Sequence, residues 1–190
     1  LHASPIEQFK LWFNELSIQD DFNSMTLSTY TQKEGIHSRI VLLKEIQKDG
    51  FIFYTNYNSL KARQIDVNQN VSLCFFWPKL QRQVRVQGVA DKVSEELSKS
   101  YFQKRPKRSQ IAAWTSEQSS IVKSRSELEN KFNSLAQKFQ GKDVPKPEFW
   151  GGYQVHPVKI EFWQGREDRM HDRFLYQKIN NRWIINRVCP

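Results

Sequence analysis

The chain has 190 residues, 38% hydrophobic and 13% aromatic, enough to bury a sizeable core, and we expect a single domain over residues 1–190. It carries 29 Lys and Arg against 20 Asp and Glu, and the resulting charge of +9 favours an anionic partner: nucleic acid, an acidic surface or a phosphorylated small molecule. Two cysteines exclude a disulfide framework, the four histidines lack zinc-ligand spacing, and no apolar run approaches the ~18 residues of a membrane span. Because the N-terminus also lacks a signal-peptide pattern, we expect a cytoplasmic protein with neither a metal nor a membrane partner.

The first part of the chain predicts one helix followed by a meander of strands. Ser4 and Glu7 form a capping box around Pro5, and apolar residues at helical spacing follow. We predict helix 5–17, strands 24–31, 36–44 and 51–56, helix 59–68, and strands 71–77 and 82–92. Gly35 and Gly50 separate the first three strands, which is typical of tight antiparallel hairpins.

The second part predicts three helices and then more strands. We predict short helices at 94–104 and 106–114, a helix from the capping box at Ser124 to a stop at Gly141, and strands near 153–163, 173–179 and 182–188. Seven or eight mostly antiparallel strands with inserted helices favour an α+β barrel over a doubly wound parallel sheet.

The chain lacks a glycine-rich phosphate loop. Its seven glycines form neither a GxGxxG nor a P-loop motif, so any bound phosphate must be held by side chains. Residues 38–44 (SRIVLLK) are the first candidate segment, because Arg39 and Lys44 bracket four apolar residues on one strand. Alternation predicts that Arg39 shares a face with Val41 and Leu43, while Lys44 points with Ile40 and Leu42. A core strand with charged ends is the alternative interpretation.

A second candidate segment lies at residues 101–119. Tyr101 and Arg105 are four residues apart on one helical turn, and Ser109 follows just past Pro106. An arginine and two hydroxyls of this kind could bind a phosphate. The basic residues from 104 to 108 could equally form a solvated face that attracts nucleic acid.

A third candidate segment is residues 163–173 (WQGREDRMHDR). In an extended conformation Arg169, His171 and Arg173 would project to the same side. Three such cations repel one another unless an anion lies among them. The alternative is a structural network in which Asp168 and Asp172 neutralise them.

In their order and spacing, these segments resemble the pyridoxamine 5'-phosphate oxidase family, and the similarity covers nearly the whole chain. The most specific strings are SRIVLLK (38–44), FYTN (53–56), RQVRVQG (82–88), SQIAAWTSEQSS (109–120), FWGG (149–152) and IEFWQGREDRMHDRFLYQ (160–177). The resemblance implies an α+β, predominantly antiparallel β fold, an FMN-binding split β-barrel with peripheral helices. It also implies a homodimer with FMN bound at the subunit interface.

The resemblance also implies a set of site residues. The FMN contacts would be Arg39, Ile40, Val41, Leu42, Leu43, Lys44, Tyr54, Thr55, Lys61, Gln83, Gln118, Ser119, Trp163 and Arg173. The substrate's phosphate would be bound by Lys44, Tyr101, Arg105 and Ser109. Arg169 and His171 would be the catalytic pair, lying over the pyridine ring beside the reacting carbon.

The implied reaction is oxidation of pyridoxamine 5'-phosphate or pyridoxine 5'-phosphate to pyridoxal 5'-phosphate. Hydride would pass to flavin N5, and O2 would reoxidise the flavin to give H2O2. Two alternatives stay open: a flavin oxidoreductase of the same fold with another substrate, and a basic barrel that binds nucleic acid.

One position departs from the family pattern. The family usually has Arg-Lys after the Ser of the helix that follows FYTN, near the FMN phosphate, whereas this chain has Ser59-Leu60-Lys61. We therefore expect weaker FMN retention, unless Arg63 one turn along the helix replaces the missing cation. The family's N-terminal arm, which can cover the substrate, is expected to be missing.

Overall fold

The computed structural model describes residues 1–16 and 22–190. The helices are α1 (Pro5–Asn14), α2 (Leu60–Val67), α3 (Glu95–Lys104), α4 (Lys107–Thr115) and α5 (Arg125–Lys138). The strands are β1 (Ser24–Thr31), β2 (Gly35–Leu42), β3 (Glu45–Gln47), β4 (Gly50–Asn56), β5 (Asn70–Trp77), β6 (Arg82–Lys92), β7 (Trp150–Gln164), β8 (Asp172–Ile179) and β9 (Arg182–Arg187). No helix within these ranges is both long enough and apolar enough to cross a membrane.

All nine strands form one antiparallel sheet in the order β2-β1-β5-β6-β7-β4-β3, and β8 and β9 continue it from β7. The long strand β7 pairs with β4 along its first part and with β8 along its last part, while β6 follows it throughout. This arrangement confirms the predicted α+β barrel with predominantly antiparallel strands.

The core lies inside the barrel, where alternate residues of the strands point inward. Phe51 and Phe53 of β4, Phe75 of β5 and Phe162 of β7 are fully buried. Phe9 of α1 packs edge-on against Phe51 and Phe75 and closes this core. Each buried phenyl ring contributes about 1.5–3 kcal/mol to folding.

A second apolar cluster joins the helices to the barrel. Phe102 of α3, Ile111 of α4 and Val144 are buried against Trp150 at the start of β7. Tyr54 and Tyr101 pack on this cluster, so it fixes α3 beside β4.

The predicted meander is correct for β1 and β2 but wrong beyond them, because β4 pairs with β3 and β7 rather than with β2. The predicted elements otherwise match the structure closely, with differences in extent. The predicted strand 36–44 ends at Leu42, because the chain turns into the short strand β3 and the Lys44 N–H donates to the Ile52 carbonyl. Strand β7 begins at Trp150, three residues earlier than predicted. Helix α1 ends at Asn14, and the predicted last residue of that helix, 17, lies outside the described residues.

Candidate functional site

One cleft of about 950 Å³ gathers most of the predicted site residues. It lies between β2, the end of β4, the first turn of α2, and helices α3 and α4. The predicted residues that line it are Arg39, Ile40, Val41, Leu42, Lys44, Tyr54, Thr55, Lys61, Tyr101, Arg105, Ser109, Gln118 and Ser119. Leu43 is placed differently, because its side chain is buried in the barrel core.

Lys61 marks one end of the cleft. Its ammonium donates to Thr55 Oγ1 at 3.2 Å, Ser59 Oγ at 3.1 Å and Gln118 Oε1 at 3.2 Å, all of them neutral acceptors. Only 7% of the residue is exposed. Burial, and then the nearby Arg39 charge, lower the pKa of Lys61 to about 8. This end of the cleft therefore holds a cation that would gain from a bound anion.

Arg39 lies near Lys61 and is fixed by neighbouring strands. Its Nη1 donates to the Leu27 carbonyl at 3.1 Å and to Thr29 Oγ1 at 2.7 Å. Thr29 in turn donates to Gln64 of α2, which is fully buried. Burial lowers the pKa of Arg39 as well. Two cations thus face this end of the cleft, beside the positive end of the α2 dipole.

Leu60 occupies the first position of α2, where it lines the cleft, and its N–H donates to Ser119 Oγ at 3.1 Å. Arg63 does not replace the missing cation, because its guanidinium donates to the Asn58 carbonyl and does not line the cleft. The expectation of weaker FMN retention, which depended on Arg63 not replacing the cation missing at Leu60, therefore stays a prediction.

Arg105 marks the other end of the cleft. Its guanidinium lies 4.7 Å above the Trp150 ring, and its Nη1 atom is buried without a hydrogen-bond partner. Burial lowers the pKa of Arg105, and burial and Arg105 together lower that of Lys44. A buried guanidinium N–H without an acceptor is costly, so this end also fits an anion. Among the described residues, no Asp or Glu lines the cleft.

The remaining predicted residues do not line the cleft. Three of them lie on the outer face of the sheet, and Arg169 and His171 lie in the loop before β8. Gln83 of β6, Trp163 of β7 and Arg173 of β8 are direct cross-strand neighbours. The His171 ring packs on Trp163 with the ring centroids 4.7 Å apart. We call Gln83, Trp163, Arg169, His171 and Arg173 the outer row.

The prediction that Arg169, His171 and Arg173 share one extended face is wrong. Residues Glu167–Arg169 form a 3-10 turn, and Arg169 has a φ of 60°, so strand alternation does not begin until Asp172. Of the three groups, Arg173 is paired with a carboxylate of the same chain. Arg173 donates to both carboxylate oxygens of Glu161, at 3.1 and 3.0 Å.

Asp172 forms separate ion pairs, since it accepts from Arg166 at 2.8 Å and also from Arg187. Asp172 thus takes part in structural ion pairs, but with Arg166 and Arg187 rather than with Arg169, His171 or Arg173 as the alternative interpretation required. The carboxylate that neutralises Arg173, however, is Glu161, which the sequence reasoning missed because only the β7–β8 register brings the two together. Glu45 and Trp150 were also missed as site residues, although Trp150 lies in the FWGG string.

Comparison with known proteins extends these observations. Residues 16–139 match the family model described as "Pyridoxamine 5'-phosphate oxidase", and residues 150–190 match that of the "Pyridoxine 5'-phosphate oxidase C-terminal dimerisation region". Relatives named pyridoxine/pyridoxamine 5'-phosphate oxidase include one from Leptospira biflexa, 48% identical over 98% of this chain and 89% of the relative. Another, from Vibrio campbellii, is 48% identical over 100% of this chain and 91% of the relative.

Solved structures share the fold. The crystal structure of PhzG from Burkholderia lata 383, in complex with tetrahydrophenazine-1-carboxylic acid, has a TM-score of 0.95 at 25% identity, covering 100% of this chain and 94% of that one. A pyridoxamine 5'-phosphate oxidase-related, FMN-binding protein from Nostoc punctiforme has a TM-score of 0.78 at 15% identity, covering 98% of each chain. The second likeness supports the fold alone.

Proposed function

The chain belongs to the pyridoxamine 5'-phosphate oxidase family, and from this premise we propose that it oxidises pyridoxamine and pyridoxine 5'-phosphates to pyridoxal 5'-phosphate with FMN and O2. Relatives of that name, at 46–48% identity over nearly the whole chain, support an oxidoreductase acting on these substrates. The observation that carries the proposal is a cleft with cations at both ends and no described carboxylate in its lining. FMN and the substrate each bring one phosphate, which is the charge such a cleft would take.

The Lys61 end fits the phosphate of FMN. Lys61 and Arg39 supply charge, and the hydroxyl and amide groups around Lys61 supply further hydrogen bonds. When bound, FMN would supply the redox chemistry: a hydride from C4' of the substrate to flavin N5, then electrons to O2, giving H2O2. The protein's own contribution is binding, orientation and electrostatics.

The Arg105 end fits the phosphate of the substrate. The unpartnered Nη1 of Arg105 offers a guanidinium N–H, and Tyr101, Ser109 and Lys44 line the same part of the cleft. Binding at this end would hold the substrate by its phosphate and leave its ring free to lie over the cofactor.

The outer row would complete the site from a second copy of the chain. It lies on strands within and beside residues 150–190, whose family model is described as a dimerisation region. The same outer face of the sheet exposes Ile40, Leu42 and Phe76, and the first two also line the cleft. Burial of such side chains between two copies would bring the outer row of one copy to the cleft of the other.

Within the outer row, His171 is suited to orienting the substrate. Its Nδ1 accepts the Arg166 N–H at 3.1 Å, so the neutral ring carries its proton on Nε2 and presents a donor there. In this tautomer His171 would donate to the substrate rather than remove its proton. Arg169 would act beside it, as a second donor over the pyridine ring.

An anaerobic titration tests the proposed function. FMN-loaded protein is mixed with pyridoxamine 5'-phosphate and the visible flavin band is followed. We expect the band to bleach, and colour and H2O2 to appear when air is admitted. Pyridoxamine without its phosphate is the matched control, and should bleach the band far more slowly because it leaves Arg105 unpaired. A bound flavin that stays oxidised with both B6 phosphates would instead favour another substrate, as in the PhzG complex with a tricyclic carboxylic acid.

A further inference from the structure

The Arg105 end of the cleft contains Tyr54, a tyrosine that is held from three sides. The Tyr54 hydroxyl donates to Glu45 Oε1 at 3.1 Å, from β4 to the neighbouring strand β3. Its ring lies against Gly152 of β7, where an added Cβ would come within 2.8 Å of Tyr54 Cε1. A glycine is therefore required at 152 for the Tyr54 ring to occupy this position.

The Tyr54 ring in turn supports helix α3. It lies parallel to the Tyr101 ring, with centroids 4.0 Å apart and planes 5° apart, and parallel to the Trp150 ring at 5.4 Å. The same Trp150 ring carries the Arg105 guanidinium. Aromatic pairs of this kind contribute about 0.5–1.5 kcal/mol each and fix the relative position of their rings.

The two α3 groups that this stack supports are the ones aimed at a phosphate. The Tyr101 hydroxyl forms no hydrogen bond to any of the described residues, and Arg105 has its buried, unpartnered N–H. Glu45 itself does not line the cleft. Its contacts reach these groups through Tyr54, while its charge adds to burial in raising the pKa of the Tyr101 hydroxyl.

Burial and the Glu45 charge keep the Tyr54 hydroxyl protonated, so that it donates the hydrogen bond to Glu45. Burial, and then Glu45, raise the pKa of the Tyr54 hydroxyl well above its usual range, so the proton stays on Tyr54 and the bond to Glu45 keeps its direction. Glu45 also accepts from Gln47 Nε2 at 3.1 Å, which fixes its carboxylate on the β3 side.

We propose that Glu45 is a positioning residue for the substrate phosphate: by holding the Tyr54 hydroxyl it sets the Tyr54–Tyr101–Trp150 stack and, through it, the phosphate-binding groups of Tyr101 and Arg105. The proposal rests on the proposed function, because it assigns that end of the cleft to the substrate. It places the control of affinity for phosphorylated substrates outside the cleft lining, on strand β3.

Two variants of Glu45 test this in the FMN-loaded protein. Glu45→Ala removes the acceptor, and we expect KM for pyridoxamine 5'-phosphate to rise about tenfold while kcat changes less than about twofold, the signature of lost binding rather than lost chemistry. Glu45→Gln keeps an acceptor oxygen for Tyr54 and should recover most of the wild-type KM. Glu34→Ala, which removes an exposed carboxylate on the β1–β2 hairpin, is the matched control and should behave as wild type.

A third variant covers the case in which Glu45→Ala does not fold. Tyr54→Phe removes the hydroxyl and keeps the ring, and it should raise KM as Glu45→Ala does. The double variant should be no worse than either single one, since both remove the same hydrogen bond. An unchanged KM in Tyr54→Phe, or equal losses of kcat and melting temperature in Glu45→Ala and Glu45→Gln, would overturn the proposal.

A binding measurement separates this proposal from the proposed function. Equilibrium dialysis of pyridoxal 5'-phosphate against the FMN-loaded protein needs no turnover. If the wild type does not bind it, the proposed function fails. If the wild type binds it and both Glu45→Ala and Tyr54→Phe bind it equally well, the proposed function stands and the role of Glu45 is refuted.

Discussion

The cleft and the outer row both concentrate basic side chains, but they handle charge in opposite ways. In the cleft, Lys61 donates only to neutral acceptors, and burial lowers its pKa. In the outer row, Arg173 is paired with both oxygens of Glu161, and those hydrogen bonds raise its pKa. The cleft therefore has positive charge to offer an anion, whereas Arg173 of the outer row is already paired with a carboxylate.

The difference indicates what each region would contribute to one site. By the proposed function, the unpaired cations of the cleft would bind phosphates, and Trp163, His171 and Gln83 of the outer row would offer rings and hydrogen-bond donors to an aromatic ligand. The comparison therefore favours a site made of two complementary halves rather than two independent sites.

The largest expected effect is on oxidase activity, when the cleft is inactivated in one copy of the chain and the outer row in the other. One variant carries Lys61→Met and Arg105→Leu in the cleft, and another carries Arg169→Leu and His171→Ala in the outer row. Each should be inactive alone. When the two are co-expressed with different tags and the doubly tagged dimer is purified, one site pairs an intact cleft with an intact outer row. We expect about half the wild-type oxidase activity per dimer.

Two copies of the cleft variant carrying different tags are the control for this complementation, and should stay inactive. If both halves of the site belonged to the same copy, the hybrid dimer would hold one damaged half in every site. An inactive hybrid would therefore show that the outer row serves the cleft of its own chain, or does not serve it at all.

A smaller effect is expected on the pH dependence of FMN affinity, which tests the charge of Lys61 in the cleft. Because the pKa of Lys61 is about 8 and a bound phosphate favours the charged ammonium, FMN binding above pH 8 must take up a proton. We expect FMN affinity to be steady from pH 7 to 8 and to fall by up to about tenfold at pH 9. Riboflavin, which lacks the phosphate, is the control ligand and should lose less. Lys61→Met should weaken FMN binding about 10- to 100-fold and remove the pH dependence.

Lys61 also determines how the stability of the FMN-free protein changes with pH. The folded pKa of Lys61 lies below the ordinary value of 10.5, so between about pH 8 and 10.5 the unfolded chain binds more protons than the folded one. The Lys61 contribution to the free energy of unfolding therefore rises with pH in this window, and below pH 8 its burial cost is present in full.

In the affinity experiment, a parallel loss of FMN and riboflavin affinity between pH 8 and 9 would contradict the assignment of Lys61 to the phosphate.

Part of the cleft could be predicted from local pattern, because Arg39, Tyr101 and Arg105 lie in or at the end of regular elements. Other lining residues, such as Lys61 and Gln118, were implied only by the family resemblance. Alternation correctly placed Arg39 and Val41 on the same face of β2, and helical spacing correctly placed Tyr101 and Arg105 on the same side of α3, where both line the cleft. Local periodicity needs no knowledge of the topology. These parts of the fold and site follow from short-range pattern alone.

The ion pairs of the outer row and its position relative to the cleft could not be predicted, because they depend on contacts between residues far apart in the sequence. The pairing of Arg173 with Glu161 requires the β7–β8 register, and the separation of the outer row from the cleft requires the whole sheet order. Alternation failed at Arg169 because its backbone is left-handed, a conformation uncommon for residues other than glycine. Such turns often carry functional side chains, which is where local rules are most often broken.

The smallest expected effect concerns Leu60, where the cleft has an apolar side chain at the first turn of α2. Leu60→Arg would place a third cation beside Lys61 and Arg39, and a charged hydrogen bond to phosphate is worth about 1.5–3 kcal/mol before solvent weakens it. Because Leu60 is half-buried, we expect FMN to bind about tenfold more tightly, with riboflavin unchanged. Arg63→Gln is the companion variant and should leave FMN affinity as it is, since Arg63 donates to the Asn58 carbonyl and does not line the cleft. Equal or weaker FMN binding by Leu60→Arg in a titration of the apo-protein would mean that the cleft already holds all the positive charge a phosphate can use.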